Sequence, residues 1–571
     1  MASDHTASVS PLGRRGPPTI AYLCMEIALE PAIPTYGGGL GILAGDMLRS
    51  AADLDVPMIG VTLASRAGYL RQQIKSGAQE DGPDPWDPAS ACMRAAAKVV
   101  VPIDGRDVWV GAWIYWLRGH MGGSCPVILL DTHLPENSAA DQGITDRLYG
   151  GDTEYRLMQE IVLGIGGARM LRALGIATRH YHLNEGHAAL LGLELLVTQY
   201  QLSDRADDGP MEPSARDVRR QCSFTTHTPV SAGHDRFSYE LVGRLLRGYV
   251  APDTLKSLTG DDELNMTHLA LALCDYVNGV ARRHADTSRA MFPGYRVHAI
   301  TNGVHPFTWT APAFRSLYDR ALPGWCHEPE LLVRADCCLS GDAIAAAHAA
   351  AKQDLCRLVA ERTGVVLRPD IATIGFARRM TSYKRPDLLF TDSERLRAIA
   401  AVQPIQVVLA GKAHPSDAGG KAAIQQLHAH IRALSPTIAM AFVPNYDMAV
   451  AGTVTAGVDV WLNTPTPPLE ASGTSGMKAA LNGVPSLSVL DGWWLEGCIE
   501  GVTGWAIGRG SSPPEQHSGE VYDLLEHKIL PLFYSASDGW VRVMRGAISR
   551  NGSYFHSHRM IRRYAAEAYL R

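Results

Sequence analysis

Apolar runs of strand length alternate along the chain with segments whose apolar residues recur at helical spacing. Residues 41–54 are one such helical segment, with apolar side chains that share one face. The predicted strands of the first half are residues 20–25, 58–63, 127–130, 180–183, 223–226 and 297–300, and those of the second half are residues 373–377, 407–410, 440–443, 458–463 and 486–490. This alternation predicts an α/β fold in which helices cover parallel sheets.

The number of predicted strands indicates two domains. Eleven parallel strands exceed what one domain of modest size holds, whereas two doubly wound, Rossmann-like domains accommodate them. The predicted division is a disordered tail at residues 1–18, a first domain at 19–305, a second domain at 306–548 and a C-terminal helix at 549–571.

Polar or ionisable residues follow nearly every predicted strand. They are Glu26, Asn184, Glu185, His187, His227, Thr228 and Asn302 in the first half, and Arg378, Arg379, Lys412, Tyr446 and Glu470 in the second. Each could be a helix cap or a solvated loop residue, but open parallel sheets bind ligands at the carboxyl ends of their strands. The repetition in both halves predicts a ligand-binding cleft between the two domains.

Composition and charge limit the kinds of partner that the protein is expected to bind. The 571 residues carry a net charge of −5, so the overall charge attracts neither nucleic acid nor an anionic membrane. We predict no membrane span and no export, because the apolar run after Gly16 is cut short by Glu26 without an evident cleavage site. The 10 scattered cysteines lack metal-ligand spacing, which predicts reduced thiols, a cytoplasmic setting and no metal site.

The segment from Pro468 to Lys478 carries the most specific chemistry. It reads Pro-Leu-Glu-Ala-Ser-Gly-Thr-Ser-Gly-Met-Lys and leads into a short apolar helix. Small residues at a helix start offer backbone N–H groups to an anion, and a lysine one turn later could reach the same ligand. Since lysine forms Schiff bases with carbonyl compounds, the pattern favours pyridoxal 5′-phosphate (PLP). Taken alone, the segment also fits a capped helix with a solvated lysine.

Four further features are compatible with a site for phosphate and sugar. The glycine run at residues 37–41 could approach a phosphate or form a simple tight turn, and it is not a nucleotide-binding fingerprint. Residues 378–385 place four cations at a strand end, as a phosphate clamp or a solvated basic loop. His227 and Glu470 could bind sugar hydroxyls, or serve as a structural hydrogen-bonder and a helix cap.

In their order along the chain, these features resemble the α-glucan phosphorylase family. The matching segments are residues 22–26, 38–41, 183–187, 226–228, 277–281, 301–306, 378–385, 411–413, 445–446 and 468–478. Residues 37–46, 183–187 and 490–494 are similar to the bacterial and archaeal branch. The resemblance covers nearly the whole chain and implies the two-domain glycosyltransferase-B architecture, in which the last helix, here residues 554–569, crosses back onto the first domain.

The resemblance also implies a role for each site residue. Lys478 would hold PLP as a Schiff base, and the cofactor phosphate would lie among Gly39, Arg378, Tyr446 and Thr474. Arg379 and Lys384 would bind the substrate phosphate, and with His227 and Glu470 they are the implied catalytic residues. The implied substrate contacts are Glu26, Leu40, Glu185, Asn302, Ser472 and Gly473.

The implied reaction transfers a glucosyl unit reversibly from the non-reducing end of an α-1,4-glucan or maltooligosaccharide to inorganic phosphate. The cofactor phosphate exchanges a proton with the substrate phosphate, and the product is α-D-glucose 1-phosphate with retained configuration. Two phosphates held close repel each other, so a cluster of cations is required, which Arg378, Arg379, Lys384 and Lys412 can supply. The resemblance further implies a homodimer, without indicating its interface.

Departures from the family pattern leave alternatives open. The chain is shorter than typical members, so the acceptor is a glucan of undetermined length or another sugar acceptor. Arg378 stands where many members have lysine, and Thr381-Ser382 replaces a His-Glu pair. A nucleotide-sugar glycosyltransferase of the same fold would explain the glycine run but not the segment ending at Lys478. A third alternative is a non-catalytic glucan-binding protein, which would not require the cations of residues 378–385 or Lys478.

Overall fold

Two mainly parallel sheets, each buried between helices, organise the chain. The computed structural model describes residues 19–202, 212–230, 233–509, 512–535 and 538–570, and the predicted tail at residues 1–18 lies outside them. The predicted class, a doubly wound α/β fold, is confirmed.

The strands, in chain order, are β1 (Ile20–Leu23), β2 (Met58–Leu63), β3 (Arg71–Lys75), β4 (Ala78–Gly82), β5 (Met93–Arg94), β6 (Val99–Ile103), β7 (Arg106–Arg118), β8 (Ser124–Asp131), β9 (His180–Asn184), β10 (Cys222–Thr225), β11 (Arg236–Ser238), β12 (Glu263–Asn265), β13 (Tyr276–Gly279), β14 (Val297–Ala299), β15 (Ala372–Ala377), β16 (Ile405–Ala410), β17 (Ala439–Val443), β18 (Val460–Asn463), β19 (Ser486–Val489) and β20 (Gly504–Ile507).

The first sheet has the order β14-β13-β10-β9-β1-β2-β8-β7-β5, with β6 also paired to β7. The strands from β14 to β8 are parallel, and β7 turns back antiparallel to β8. Alternate residues of β1 enter different cores, because Ala21 and Leu23 pack under one face and Ile20 and Tyr22 under the other. Burial of both faces explains why the strand is apolar throughout.

The second sheet is entirely parallel, with the order β17-β16-β15-β18-β19-β20. The same alternation holds here, since Val407 and Leu409 of β16 enter one core and Val408 and Ala410 the other. The strand order reverses between β15 and β18, as it does between β1 and β9 in the first sheet. In doubly wound sheets such reversal points open the crevice that binds ligands.

The helices are α1 (Gly39–Asp53), α2 (Ala139–Gln142), α3 (Thr153–Ile161), α4 (Gly167–Ala173), α5 (Leu190–Leu202), α6 (Glu212–Gln221), α7 (Tyr239–Leu245), α8 (Pro252–Thr259), α9 (Met266–Leu273), α10 (Arg282–Met291), α11 (Pro306–Trp309), α12 (Pro312–Ala321), α13 (Ala335–Cys338), α14 (Gly341–Thr363), α15 (Ser393–Val402), α16 (Ala418–Leu434), α17 (Met448–Gly457), α18 (Ser475–Leu481), α19 (Trp494–Gly497), α20 (His517–Leu524), α21 (Leu530–Tyr534), α22 (Gly539–Gly546) and α23 (Ser557–Tyr564). The bounds of α14 follow from local chemistry: the Ser340 hydroxyl accepts the Ala343 N–H at its start, and Gly364 takes a left-handed conformation after its end.

The C-terminal helix α23 continues as a π-helical turn, Ala565–Tyr569, and packs on α1 of the first half. The hydroxyls of Ser557 and Ser50 lie 2.6 Å apart, and the Tyr569 hydroxyl lies 2.6 Å from Nδ1 of His182. The last helix therefore ties the end of the chain to the first sheet.

Every predicted strand has a counterpart, but several observed strands were not predicted. The additional ones are β3, β4, β5, β6, β7, β11, β12, β13 and β20. β3, β4 and β5 are short and partly exposed, so their apolar content is low. β13 ends in Asn278 and Gly279, residue types that are depleted in strands.

Within the described residues, no helix is long and apolar enough to cross a membrane. All 10 cysteines are free thiols.

Candidate active site

The reversal point of the second sheet brings together the cations that follow β15 and the loop that follows β18. Glu470 on that loop forms ion pairs with Arg378 (Nη2 to Oε2, 2.7 Å) and Lys384 (Nζ to Oε2, 3.2 Å), and all three side chains are buried. Burial by itself would raise the pKa of Glu470, but the two cations outweigh it and lower the pKa to about 2. The carboxylate is therefore ionised and occupies the space between two cations.

The Glu470 loop is held by Asp491, which follows β19. The Glu470 N–H donates to Oδ2 of Asp491 at 2.9 Å, and the Gly492 N–H donates to Oδ1 at 2.9 Å. Burial raises the pKa of Asp491 to about 6. Gly473, three residues beyond Glu470, has a φ of +76°, a conformation that favours glycine. Asp491 was not identified from sequence, since only the fold places it beside Glu470.

Lys478 lies one turn inside α18, where Thr474 is the N-terminal cap residue. Its side chain is 6% exposed, and its Nζ lies 3.6 Å from the centre of the Trp309 ring. Burial lowers the pKa of Lys478 to about 8. Trp309 is fixed in turn by Asp46, which accepts its indole N–H at 2.8 Å. Trp309 and Asp46 are far from Lys478 in sequence, so no local pattern indicated their contact.

In the first half, Glu26 shapes the glycine run. Its Oε2 accepts the N–H groups of Gly37 (2.6 Å) and Gly38 (3.0 Å), and its Oε1 accepts the Tyr149 hydroxyl at 2.9 Å. A Cβ on Gly41 would lie 2.7 Å from Glu26 Oε2, which explains glycine at that position. The run leads into α1, which begins at Gly39 with Leu40 half-buried.

Glu185 binds the His227 segment as Glu26 binds the glycine run. Its Oε2 accepts the His227 N–H at 2.7 Å and the Thr228 hydroxyl at 3.1 Å. Glu185 has a φ of +74°, which is uncommon for a residue with a side chain. Its carboxylate thus binds protein groups at the end of β9, next to the reversal point of the first sheet.

The His227 ring is oriented by Asn184, whose side-chain Oδ1 lies 2.7 Å from Nε2. Burial lowers the pKa of His227 to about 3, so the ring is neutral. Since the Asn184 oxygen can only accept, Nε2 carries the proton and Nδ1 is left as an acceptor.

The buried polar atoms without a hydrogen-bond partner among the described residues include Oδ1 of Asn302 and Oγ of Ser472. Asn302 is held from behind by Arg559 of α23, which donates to the carbonyls of Thr301 (2.7 Å) and Asn302 (2.8 Å). Buried polar atoms normally find partners, so these two retain hydrogen-bonding capacity that the described residues do not use.

The remaining predicted residues, Arg379, Tyr446 and Lys412, lie in the second half of the chain. Arg379 interacts electrostatically with Glu26. Burial alone would lower the pKa of Arg379, but neighbouring tyrosines and the Glu26 carboxylate raise that pKa. Tyr446 is part-buried near Arg378. The Lys412 Nζ donates to the Leu70 carbonyl at 3.0 Å, so this cation faces a carbonyl of the first half.

Comparison with known proteins identifies the family of this chain. The carbohydrate phosphorylase family model matches residues 253–500. A maltodextrin phosphorylase of Thermococcus litoralis is 36% identical over 96% of this chain and 70% of the relative. The chain belongs to the carbohydrate phosphorylase family. A glycogen phosphorylase of Aquifex aeolicus is 33% identical over 96% of this chain and 86% of the relative. An uncharacterised protein of Methanocaldococcus jannaschii is 30% identical over 96% of this chain and 99% of its own length. The resemblance in the sequence motifs is thereby confirmed.

Close to the site, this phosphorylase-family chain contains a buried group of Asp53, His305 and His558, whose ligand atoms lie within 4.8 Å of one another among the described residues. Hydrogen bonds link its members to one another and to neighbouring backbone. His305 Nδ1 accepts the Thr308 N–H at 3.2 Å, so Nε2 carries the proton and donates to Asp53 Oδ2 at 2.7 Å. The cluster joins α1, the 301–305 loop and α23.

Proposed function

We propose that this chain is a PLP-dependent α-glucan phosphorylase. It would transfer a glucosyl unit reversibly from the non-reducing end of an α-1,4-glucan or maltooligosaccharide to inorganic phosphate, giving α-D-glucose 1-phosphate with retained configuration. The related maltodextrin and glycogen phosphorylases support this substrate class. The observation that carries the proposal is a buried lysine amine, Lys478, eight residues after Glu470, whose carboxylate pairs with two buried cations.

The surroundings of Lys478 fit the cofactor. With a pKa of about 8, part of the Lys478 population is neutral near neutral pH and can attach to the PLP aldehyde. When bound, PLP would supply a phosphate group that exchanges a proton with the substrate phosphate. The residues proposed to surround that phosphate are Gly39, Arg378, Tyr446 and Thr474.

Arg379 and Lys384 are the groups proposed to hold inorganic phosphate. Two phosphates side by side would repel strongly in a buried site. Arg378, Arg379 and Lys384 supply three cations, and Glu470 forms ion pairs with two of them, Arg378 and Lys384. The positive excess would stabilise both phosphates, with no reorganisation needed during the reaction.

His227, Asn302 and Ser472 are proposed to hold the sugar. The His227 Nδ1, the Asn302 Oδ1 and the Ser472 Oγ offer polar atoms to hydroxyl groups. In the reaction the glycosidic bond at C1 breaks, its oxygen receives a proton from phosphate, and a phosphate oxygen bonds to C1. Glu26 and Glu185 would contribute through the glycine run and the His227 segment that they position.

Leu40, Gly473 and Glu470 complete the proposed sugar contacts. A homodimer belongs to the same proposal and follows from the family resemblance, and the cytoplasmic setting follows from the scattered, reduced cysteines.

The test is borohydride reduction of protein supplied with PLP, followed by peptide mapping by mass spectrometry. We expect a pyridoxyl group on Lys478, together with phosphate-dependent release of glucose 1-phosphate from maltooligosaccharides. The Lys478→Met variant is the matched control and should carry none. Absence of the adduct from the wild-type protein would refute the proposal, and turnover of a nucleotide sugar would then favour the glycosyltransferase alternative.

A further inference from the structure

A β-hairpin from the first half of the chain lies against the second half. Its strands, β3 and β4, pair with each other as a separate two-stranded sheet. The hairpin packs on α16, and at its tip a Cβ on Gly77 would lie 3.0 Å from Cβ of His428 in that helix. Lys421 of α16 forms an ion pair with Asp81 of β4 at 2.5 Å. The hairpin is therefore an arm that reaches across the cleft.

Gln72 of this arm binds the loops that follow β16 and β17. Its Nε2 donates to the Gly411 carbonyl at 2.8 Å, and its Oε1 accepts the Asn445 N–H at 2.8 Å. The Gln72 N–H donates to Oδ1 of Asn445 at 3.2 Å. The side-chain oxygen of each residue thus accepts the backbone N–H of the other. Gln72 is only 3% exposed, although its sequence neighbour Gln73 is exposed.

Gln79 of β4 forms a similar reciprocal contact. Its Nε2 donates to the Ala413 carbonyl at 2.9 Å, and its Oε1 accepts the Ala413 N–H at 3.0 Å. Gln72 also donates to Gln79 Oε1 at 2.8 Å, so the two side chains form one network. Gln79 is 7% exposed. A buried network of this kind is specific, because each group that loses its partner is costly to leave unpaired.

The loops bound by the arm lead directly to the proposed phosphate site. Tyr446 follows Asn445, and two residues later the Met448 N–H donates to the Tyr36 hydroxyl at 3.1 Å, immediately before the glycine run. On the other loop, Lys412 donates to the Leu70 carbonyl at 3.0 Å, immediately before β3. The contacts between the two halves therefore converge beside the groups that would face phosphate.

We propose that Gln72 and Gln79 are positioning residues, which hold the two halves of the cleft together and thereby set the affinity for phosphate. Opening of the cleft would leave their amides and the N–H groups of Ala413 and Asn445 without these partners. The network therefore favours the closed arrangement, in which Tyr446 lies near the glycine run. The kinetic part of this inference rests on the proposed phosphorylase function.

The test uses the full chain with Gln72→Met and Gln79→Met, singly and together. Methionine keeps the length and volume of glutamine but removes its hydrogen bonds, so the arm can still pack. Gln73→Met on the exposed face of the same strand is the matched control. Two readouts are needed: hydrogen exchange of peptides that contain residues 411–413 and 445–448, and the KM for inorganic phosphate measured separately from kcat.

We expect exchange in both peptides to accelerate about tenfold in the double variant, because the amide hydrogens of Ala413 and Asn445 lose their acceptors. The KM for inorganic phosphate should rise about tenfold or more, because the double variant removes four hydrogen bonds between the two halves, with kcat and the pyridoxyl content of Lys478 nearly unchanged. The Gln73→Met control should behave as the wild type.

Wild-type exchange in the double variant would overturn the proposal. Faster exchange with an unchanged KM for phosphate would overturn the positioning role, as would a fall in kcat alone, which reports a smaller active fraction. If the wild-type protein carries no pyridoxyl group and releases no sugar phosphate, the proposed function fails, and the exchange experiment alone decides whether the arm closes the cleft.

Discussion

Replacement of Lys478 by methionine should stabilise the protein when PLP is absent, although it abolishes cofactor attachment. In the cofactor-free protein, the ammonium group of Lys478 is buried, and burial lowers its pKa from 10.5 to about 8. This difference corresponds to about 3 kcal/mol of folding free energy, since each pKa unit is worth 1.36 kcal/mol. The attraction between Nζ and the Trp309 ring at 3.6 Å offsets about 0.5–2 kcal/mol of this cost. The net gain for Lys478→Met is therefore about 1–3 kcal/mol.

The pH dependence has a definite sign. Below about pH 8 the lysine is charged in both states, and the folded state bears the whole cost of burial. Between about pH 8 and 10.5 the folded state has lost the proton and the unfolded state still binds it, so the stability of the wild-type protein rises. The advantage of Lys478→Met should therefore be largest near neutral pH and should shrink as the pH approaches 10.5.

The measurement is thermal unfolding of cofactor-free wild type and variant at about pH 7 and pH 10. At about 2–4 °C per kcal/mol for a domain of 150–250 residues, we expect the variant Tm to be higher by about 2–12 °C at the lower pH. Lys528→Met, at a side chain that is 53% exposed, is the control and should shift Tm by less than about 1 °C. A lower Tm for Lys478→Met at neutral pH, or a difference that does not change with pH, would refute the reasoning.

Three further substitutions test other parts of the site. Glu470→Gln removes the carboxylate shared by two buried cations and should lower Tm at neutral pH. Because the folded-state pKa of Glu470 is about 2, the difference in Tm between wild type and variant should shrink as the pH falls from about 4.5 toward 2. A Tm difference that stays constant over that pH range would contradict the ion pairing. Arg379→Ala should keep the pyridoxyl group on Lys478 but lose phosphate-dependent turnover by about a hundredfold or more, and full activity would exclude its role at phosphate. Arg559→Lys keeps the charge but loses the paired bonds that hold the Asn302 backbone, so the KM for maltooligosaccharide should rise about five- to twentyfold at unchanged pyridoxyl content, and a wild-type KM would contradict this positioning.

Much of the fold could be predicted because parallel strands buried on both faces are apolar throughout. β1 and β16 show this pattern, and alternate residues of each enter separate cores. The arm formed by β3 and β4 could not be predicted in the same way. Its exposed face is polar, and the side chains buried on its other face are glutamines, whose burial is possible only because the loops of the second half satisfy their amides.

The sequence by itself determined the local chemistry: a lysine one turn inside a short helix, cations after a strand, and a glycine run at the start of another helix. These features depend on near neighbours in the chain, so composition and spacing are sufficient to find them. Only the tertiary structure decided which distant groups meet them. Trp309 against Lys478, Asp491 behind Glu470 and Arg559 behind Asn302 are contacts between residues separated by 21 to 257 positions. Such contacts follow from strand order and helix packing, which no local pattern encodes, and they set the burial and charge pairing on which the properties of the site depend.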